Sequence, residues 1–122
     1  MTTTTITLIP MSGAASGLPI KVVATSTPGT LIHTAQASTA TGCLDVPELQ
    51  VYNSDTVDRT ITFECWGVAA PDNLVKRTVP TGETIAVPLP GGQNTLVLRA
   101  FGSAANVLVV SGAPGVKRVV VA

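Results

Sequence analysis

Glycine and proline punctuate this chain at intervals of about ten residues, and between them no window longer than a turn carries the three-to-four-residue apolar spacing of a helix. That punctuation admits short strands and little else. Two-residue alternation is clearest in RTITFECW, residues 59–66, which sets Ile61, Phe63 and Cys65 on one face and Thr60, Thr62, Glu64 and Trp66 on the other. The first face is expected in the core and the second outside. Trp66, beside the loop AAPDN, then becomes a candidate contact with a neighbouring subunit, because tryptophan is over-represented at interface centres.

The rest of the chain repeats the pattern. MTTTTITLI, residues 1–9, reads as an edge strand or an arm, and MSGAASGLP as loop, so residues 1–17 are expected to form an N-terminal arm and loop and residues 18–122 a β-sandwich domain. IKVVATS and TLIHTAQ flank Pro28-Gly29 as a predicted hairpin, and ASTATG is a linker of small polar residues. In CLDVPELQVYN the imino nitrogen of Pro47 has no hydrogen to donate, so pairing is expected after it, with Leu49, Val51 and Asn53 alternating against Gln50 and Tyr52. NSDTVD makes a turn. LVKRTV, ETIAVPL, TLVLRAF, ANVLVV and VKRVVVA bring the count to about eight or nine strands. The fold class is therefore all-β, a compact antiparallel β-sandwich of about eight strands with an extended N-terminal arm, and a jelly-roll topology is among the arrangements left open.

Composition narrows the trade such a fold can follow. At 122 residues the chain makes one domain, and its seven basic residues balance its seven acidic ones, so no net field draws it to nucleic acid or an anionic membrane. Charged residues are 11% of the chain while apolar ones reach 45%, a charge-poor balance that favours association. Much of the surface is expected to be covered by copies of itself or by a larger partner. The longest aliphatic run, Val107 to Val110, is far short of the roughly 18 residues of a membrane helix. The N-terminus lacks a basic stretch before its apolar residues, so no secretory signal is expected and the two cysteines are expected to be reduced.

No residue pattern carries chemistry. Cys43 and Cys65 lack paired metal-ligand spacing, and Cys65 lies on the apolar face of its strand; a disulfide between them depends on the folded geometry. His33, the only histidine, has no nucleophile motif to serve and reads as a packed or interface residue on the face of Leu31 and Ala35. The carboxylates are scattered, mostly in turns, and Asn53, Asp55 and Asp58 lack the spacing that wraps calcium. Four aromatics are too few for a sugar cleft or a base-stacking platform. Lys76-Arg77 and Lys117-Arg118 each send one member to either face, where it meets a carboxylate of a neighbouring subunit or guards an edge strand. No catalytic, cofactor or metal site is expected.

IKVVATSTPGTLIHTA, ELQVYNSDTVDRTITFECWGVAAPDN and TVPTGETIAVPLPGGQNTLVLRAFGSAANVLVVSG together resemble small virion proteins encoded among the structural genes of tailed bacteriophages. The resemblance covers most of the chain. It implies a non-enzymatic β-rich accessory component, most simply a capsid decoration or cement protein. Such a protein is made in the host cytoplasm, is often a homotrimer, and binds the outside of the assembled head, bridging major capsid subunits. Thr4, Ile6, Leu8, Trp66 and Arg77 are then the candidate contact residues. A head-to-tail or tail accessory protein would form a ring instead, and a carbohydrate-binding sandwich for host attachment would expose several aromatics.

Overall fold

A computed structural model describes residues 3–122. Nine strands follow one another: β1 (Thr4–Ile9), β2 (Ile20–Lys21), β3 (Thr30–Thr34), β4 (Leu44–Asn53), β5 (Arg59–Cys65), β6 (Leu74–Val79), β7 (Thr84–Pro88), β8 (Val97–Gly102) and β9 (Leu108–Val121). They build two antiparallel sheets. Sheet A has the order β1-β9-β4-β7, with the two-residue β2 also on β9, and sheet B the order β3-β8-β5-β6. No helix among the described residues is long and apolar enough to cross a membrane.

This is the jelly-roll order. Setting β2 aside, the eight longer strands pair as nested couples, β1 with β9, β3 with β8, β4 with β7 and β5 with β6, as if one long hairpin had been rolled up. Two further pairings, β4 with β9 and β5 with β8, join the couples into sheets. The core lies between them: Leu49, Val51, Val87, Leu108 and Val110 from sheet A face Ile32, Ile61, Phe63, Leu98 and Ala100 from sheet B. Each of these comes from the apolar parity of its strand, and only Phe63 is aromatic, so the core is filled by branched aliphatics.

Three local expectations are corrected. The segment 1–17 is not a separable arm: β1 pairs with β9 along its whole length, from Thr4 opposite Val121 to Ile9 opposite Val116, and Met11 is 2% exposed within the core. Met1 and Thr2, which belong to the same expected arm, lie outside the described residues. The hairpin expected across Pro28-Gly29 does not form, because β2 joins β9 in sheet A while β3 joins β8 in sheet B. Pairing also begins before Pro47, at Leu44. The missing donor of Pro47 faces the end of the β7 ladder, where its carbonyl accepts the Leu89 N–H at 3.1 Å, so the β9 ladder on the other side loses nothing.

The middle of the outer face of sheet B is closed, while Lys76 and Thr78 at its β6 side stay exposed. Thr62 and Glu64 were expected outside, yet they are 6% and 0% exposed. The segment between β2 and β3 crosses over them, and the Glu64 carboxylate holds it there by accepting the Gly29 N–H and the Thr27 hydroxyl, each at 2.6 Å. Only glycine fits at position 29, since a Cβ there would stand 2.5 Å from the Ala100 carbonyl oxygen. Glu64→Ala leaves two donors without an acceptor and is expected to destabilise the protein by about 2 kcal/mol. Glu64→Gln, which keeps one carbonyl oxygen, should lose less; urea unfolding together with hydrogen exchange at the Gly29 amide reads both effects.

Candidate functional site

One polar cluster lies inside the sandwich. A bulge in β3 between Leu31 and His33 turns both Ile32 and His33 inward and leaves Leu31 exposed, so Leu31 does not share the histidine's face as alternation predicts. Across from it, the inward parity of Leu49, Val51 and Asn53 extends back along β4 to Asp45. His33 is 1% exposed and Asp45 0%, and the imidazole Nε2 lies 2.7 Å from Asp45 Oδ2. Arg118 of β9 forks onto the same carboxylate, Nε to Oδ1 at 2.9 Å and Nη2 to Oδ2 at 2.8 Å. The Gln36 backbone N–H and side-chain amide complete the shell, each at 3.2 Å.

The geometry fixes the histidine's tautomer. Nδ1 lies 3.1 Å from the Ser12 backbone N–H, which can only donate, so Nδ1 is the acceptor and Nε2 carries the hydrogen given to Asp45. Serine, histidine and aspartate thus stand together without being a nucleophile, base and orienting acid. It is the Ser12 amide that meets the imidazole, while its hydroxyl oxygen accepts the Thr34 N–H at 2.7 Å. What the cluster does is join β3 of sheet B to β4 and β9 of sheet A. Burial pushes the Asp45 carboxyl up, but the hydrogen bonds from Arg118 and His33 outweigh it and hold the group below the usual aspartate range.

Trp66 does not stand outside. Its φ of +66° breaks the strand's alternation and swings the indole inward, where Nε1 donates to the Pro90 carbonyl at 2.8 Å. The ring lies flat on Gly92, where a Cβ would come within 2.1 Å of it. Trp66 is therefore half-buried against the core, a plug at the sandwich's end. Cys65 lies in the core, its thiol pushed up to about 11 by burial, and Cys43 exchanges weak hydrogen bonds with the Val121 backbone; both thiols are free.

The remaining charged candidates are occupied within the chain. Asn53 and Asp55 shape the β4–β5 turn, with Asp55 paired to Arg59 at 2.7 Å, and Asp58 accepts the Thr81 N–H. Lys117 meets Glu48 at 2.9 Å and Arg118 meets Asp45, so the carboxylates expected on a neighbouring subunit lie in the same chain. Arg77 stays exposed on β6, the last strand of sheet B. Among the described residues no three side chains of metal-ligating type stand together.

What remains open is the outer face of sheet A. Thr4, Ile6 and Leu8 stand opposite Val121, Val119 and Lys117, and Val119 and Lys117 in turn stand opposite Leu44 and Val46 of β4, so all share one face. Ile6 is 64% exposed and Leu8 55%, with Val119, Val121, Leu44 and Val46 half-buried beside them. The only ion pair on this stretch, Lys117 with Glu48, is internally neutral. A cavity of about 280 Å³ lies at its margin, lined by Leu8, Met11, Gly17 and Pro114 without a charged side chain. Of the five expected contact residues the structure thus gathers Thr4, Ile6 and Leu8 and separates Trp66 and Arg77 from them. No protein-family model, curated protein or solved structure matches the chain.

Asp45→Asn keeps the shape but removes the charge that Arg118 and His33 share, and it should lower stability by about 3 kcal/mol in urea unfolding. The acid response has a definite sign. A carboxyl held low in the folded state contributes its full stabilisation above the unfolded value of about 3.9 and loses it as pH falls through the depressed folded value. The wild type should accordingly lose stability below pH of about 4, and the difference between wild type and Asp45→Asn should shrink over that same range.

Proposed function

We propose that this chain is a non-enzymatic structural protein of a bacteriophage particle, one that coats the outside of the assembled head and holds neighbouring major capsid subunits together. The observation that carries the reading is the asymmetry of the two outer faces. Sheet B is covered at its middle by its own loop, pinned on Glu64, whereas sheet A turns Ile6, Leu8, Leu44, Val46, Val119 and Val121 outward on one face whose charges, Lys117 and Glu48, pair with each other. A contiguous apolar face marks a place that another macromolecule covers.

The jelly roll itself does not choose among functions. The disposition of the polar side chains supports a binding role: the histidine is sealed, both thiols are buried, and the inward carboxylates are consumed by internal donors. A host-attachment sandwich would present aromatics, and here Phe63 is in the core and Trp66 lies on Gly92, with Tyr52 the aromatic that reaches solvent most. A protein that binds only the finished shell stabilises it by mass action, without chemistry of its own.

Two measurements test this. The number of copies per particle distinguishes lattice occupancy, with a copy at each of many equivalent positions, from a tail ring with few. Val119→Lys puts a charge at the middle of the apolar face, between Leu44 and Ile6, and is expected to weaken binding to assembled shells by at least about tenfold while the melting temperature stays near that of the wild type. Shell binding equal to that of the wild type would remove this face from the contact.

A further inference from the structure

Among the described residues nothing pairs with the outer edge of β1, and that edge carries an inference that goes beyond shell binding and does not depend on it. Thr3 and Ala122 exchange both backbone hydrogen bonds, N–H to O at 2.9 Å in each direction. Antiparallel pairing alternates, so Thr5, Thr7 and Ile9 also bond to β9, while the N–H and C=O groups of Thr4, Ile6 and Leu8 point away from the sheet into solvent. Such a row is a template for another strand unless it is guarded.

Every other edge of the two sheets is guarded. β7 begins beside Glu83 and ends in Pro88. β6 carries Lys76 and Arg77, both exposed, and Arg77 stands opposite Ile61 as a charge turned toward the inner side. β3 is short, bulged and covered by the segment between β1 and β2, with Gly13 N–H on the Ile32 carbonyl at 2.9 Å and the Ser12 hydroxyl accepting the Thr34 N–H. β2 has two residues, one of them Lys21. β1 has six residues, no charge, no proline and no bulge.

We propose that β1 pairs with β1 of a second copy of this chain, antiparallel across a twofold axis at Ile6, so that the two sheets A run on as one. A twofold contact sets each residue against its own surroundings, which penalises any unbalanced charge; β1 carries none, and the two cations opposite it on β9, Lys117 and Arg118, are neutralised by Glu48 and Asp45. The register is self-complementary. With Ile6 opposite Ile6 of the second copy, Thr4 falls opposite Leu8 and Leu8 opposite Thr4, so all three outward-bonding residues are used and each pair exchanges two hydrogen bonds. On the outer face the two Ile6 side chains meet, and on the other face Thr5 meets Thr7, a favourable cross-strand pair. The contact builds dimers rather than the threefold arrangement that the phage resemblance implies. It also makes the two apolar faces of sheet A continuous.

Sedimentation equilibrium of the purified chain at micromolar concentration tests it. The expected mass is twice that of the 12.4 kDa monomer. Ile6→Pro removes an outward N–H and no bond to β9, so it should sediment as a folded monomer, whereas Thr5→Pro removes a bond to β9 and should lower the melting temperature. Should Ile6→Pro fail to fold, Ile6→Cys still reads the register. Opposed Cα atoms at the axis lie about 5.5 Å apart, within disulfide range, whereas Thr4→Cys places its two sulfurs' backbones about 14 Å apart. Oxidation should therefore cross-link the first variant between copies and leave the second uncross-linked. A monomeric wild type overturns the proposal and leaves the edge to a foreign strand; so does a trimer, a dimer that survives Ile6→Pro, or cross-linking of Thr4→Cys equal to that of Ile6→Cys. Because no shell is present, none of these outcomes bears on whether the apolar face binds one.

Discussion

The carboxylate of Asp45 is the interaction on which the arrangement of the two sheets most depends. A jelly roll closes its sheets over an apolar core, and such a core, here mostly valine, leucine and isoleucine with a single buried phenylalanine, has little directional content of its own. Asp45 supplies direction. Its two oxygens accept from Arg118, His33 and Gln36, and those donors belong to β9, to β3 and to the segment after β3, so one buried group fixes the separation and register of both sheets at one end. A buried carboxylate is costly unless its lone pairs are filled. With five donors in place the cost is offset, and any rearrangement that slides one sheet against the other strands a charge.

The same logic is repeated at smaller scale elsewhere. Glu64 holds the β2–β3 segment over sheet B, Asn53 holds the β4–β5 turn through the Val57 and Val79 carbonyls, and the Trp66 indole closes the end of the sandwich by one hydrogen bond to Pro90 and contact with Gly92. Among the described residues no buried side-chain nitrogen or oxygen lacks a partner. In a chain with so few charged groups, almost every inward polar side chain is spent on fixing a loop or a sheet.

Period-two alternation made the strands and the core legible from sequence, because burial on one face selects apolar residues at every second position regardless of what lies across the sheet. Ile61, Phe63, Cys65, Leu49 and Val51 all follow it. Alternation says nothing about what covers the other face, which is why Glu64 was expected outside and is sealed, and it fails wherever the backbone leaves the pleat, as at the β3 bulge beside His33 and at the positive φ of Trp66. The Asp45 cluster was within reach. The parity of Leu49, Val51 and Asn53, carried back across Pro47, puts an aspartate in the core, and a buried aspartate demands a cation; stopping the strand at the proline hid it. Arg118, 73 residues away, is a partner no local pattern could supply.

Where polar satisfaction is this complete, the capacity to interact is left to what satisfaction does not reach: apolar side chains on one outer face and the backbone of one edge strand. Both lie on the same three strands, β1, β9 and β4, at the end of sheet A that extends past β7, whose pairing with β4 covers only Glu48 to Tyr52. The bulge between Gly112 and Gly115 separates that end of β9 from the part that β2 pairs with, so the extension is a small platform of β1, β9 and β4, bridged at the far edge of β4 by Gly92 and tied to the core through Arg118 and Val116. Edge and face use different chemistry. Backbone hydrogen bonds along β1 set a partner strand's register whatever its side chains, while Val119, Val121, Leu44 and Val46 reward burial against any apolar surface of fitting shape. A platform offering both can therefore join to a like edge and still leave its face for a second, larger surface.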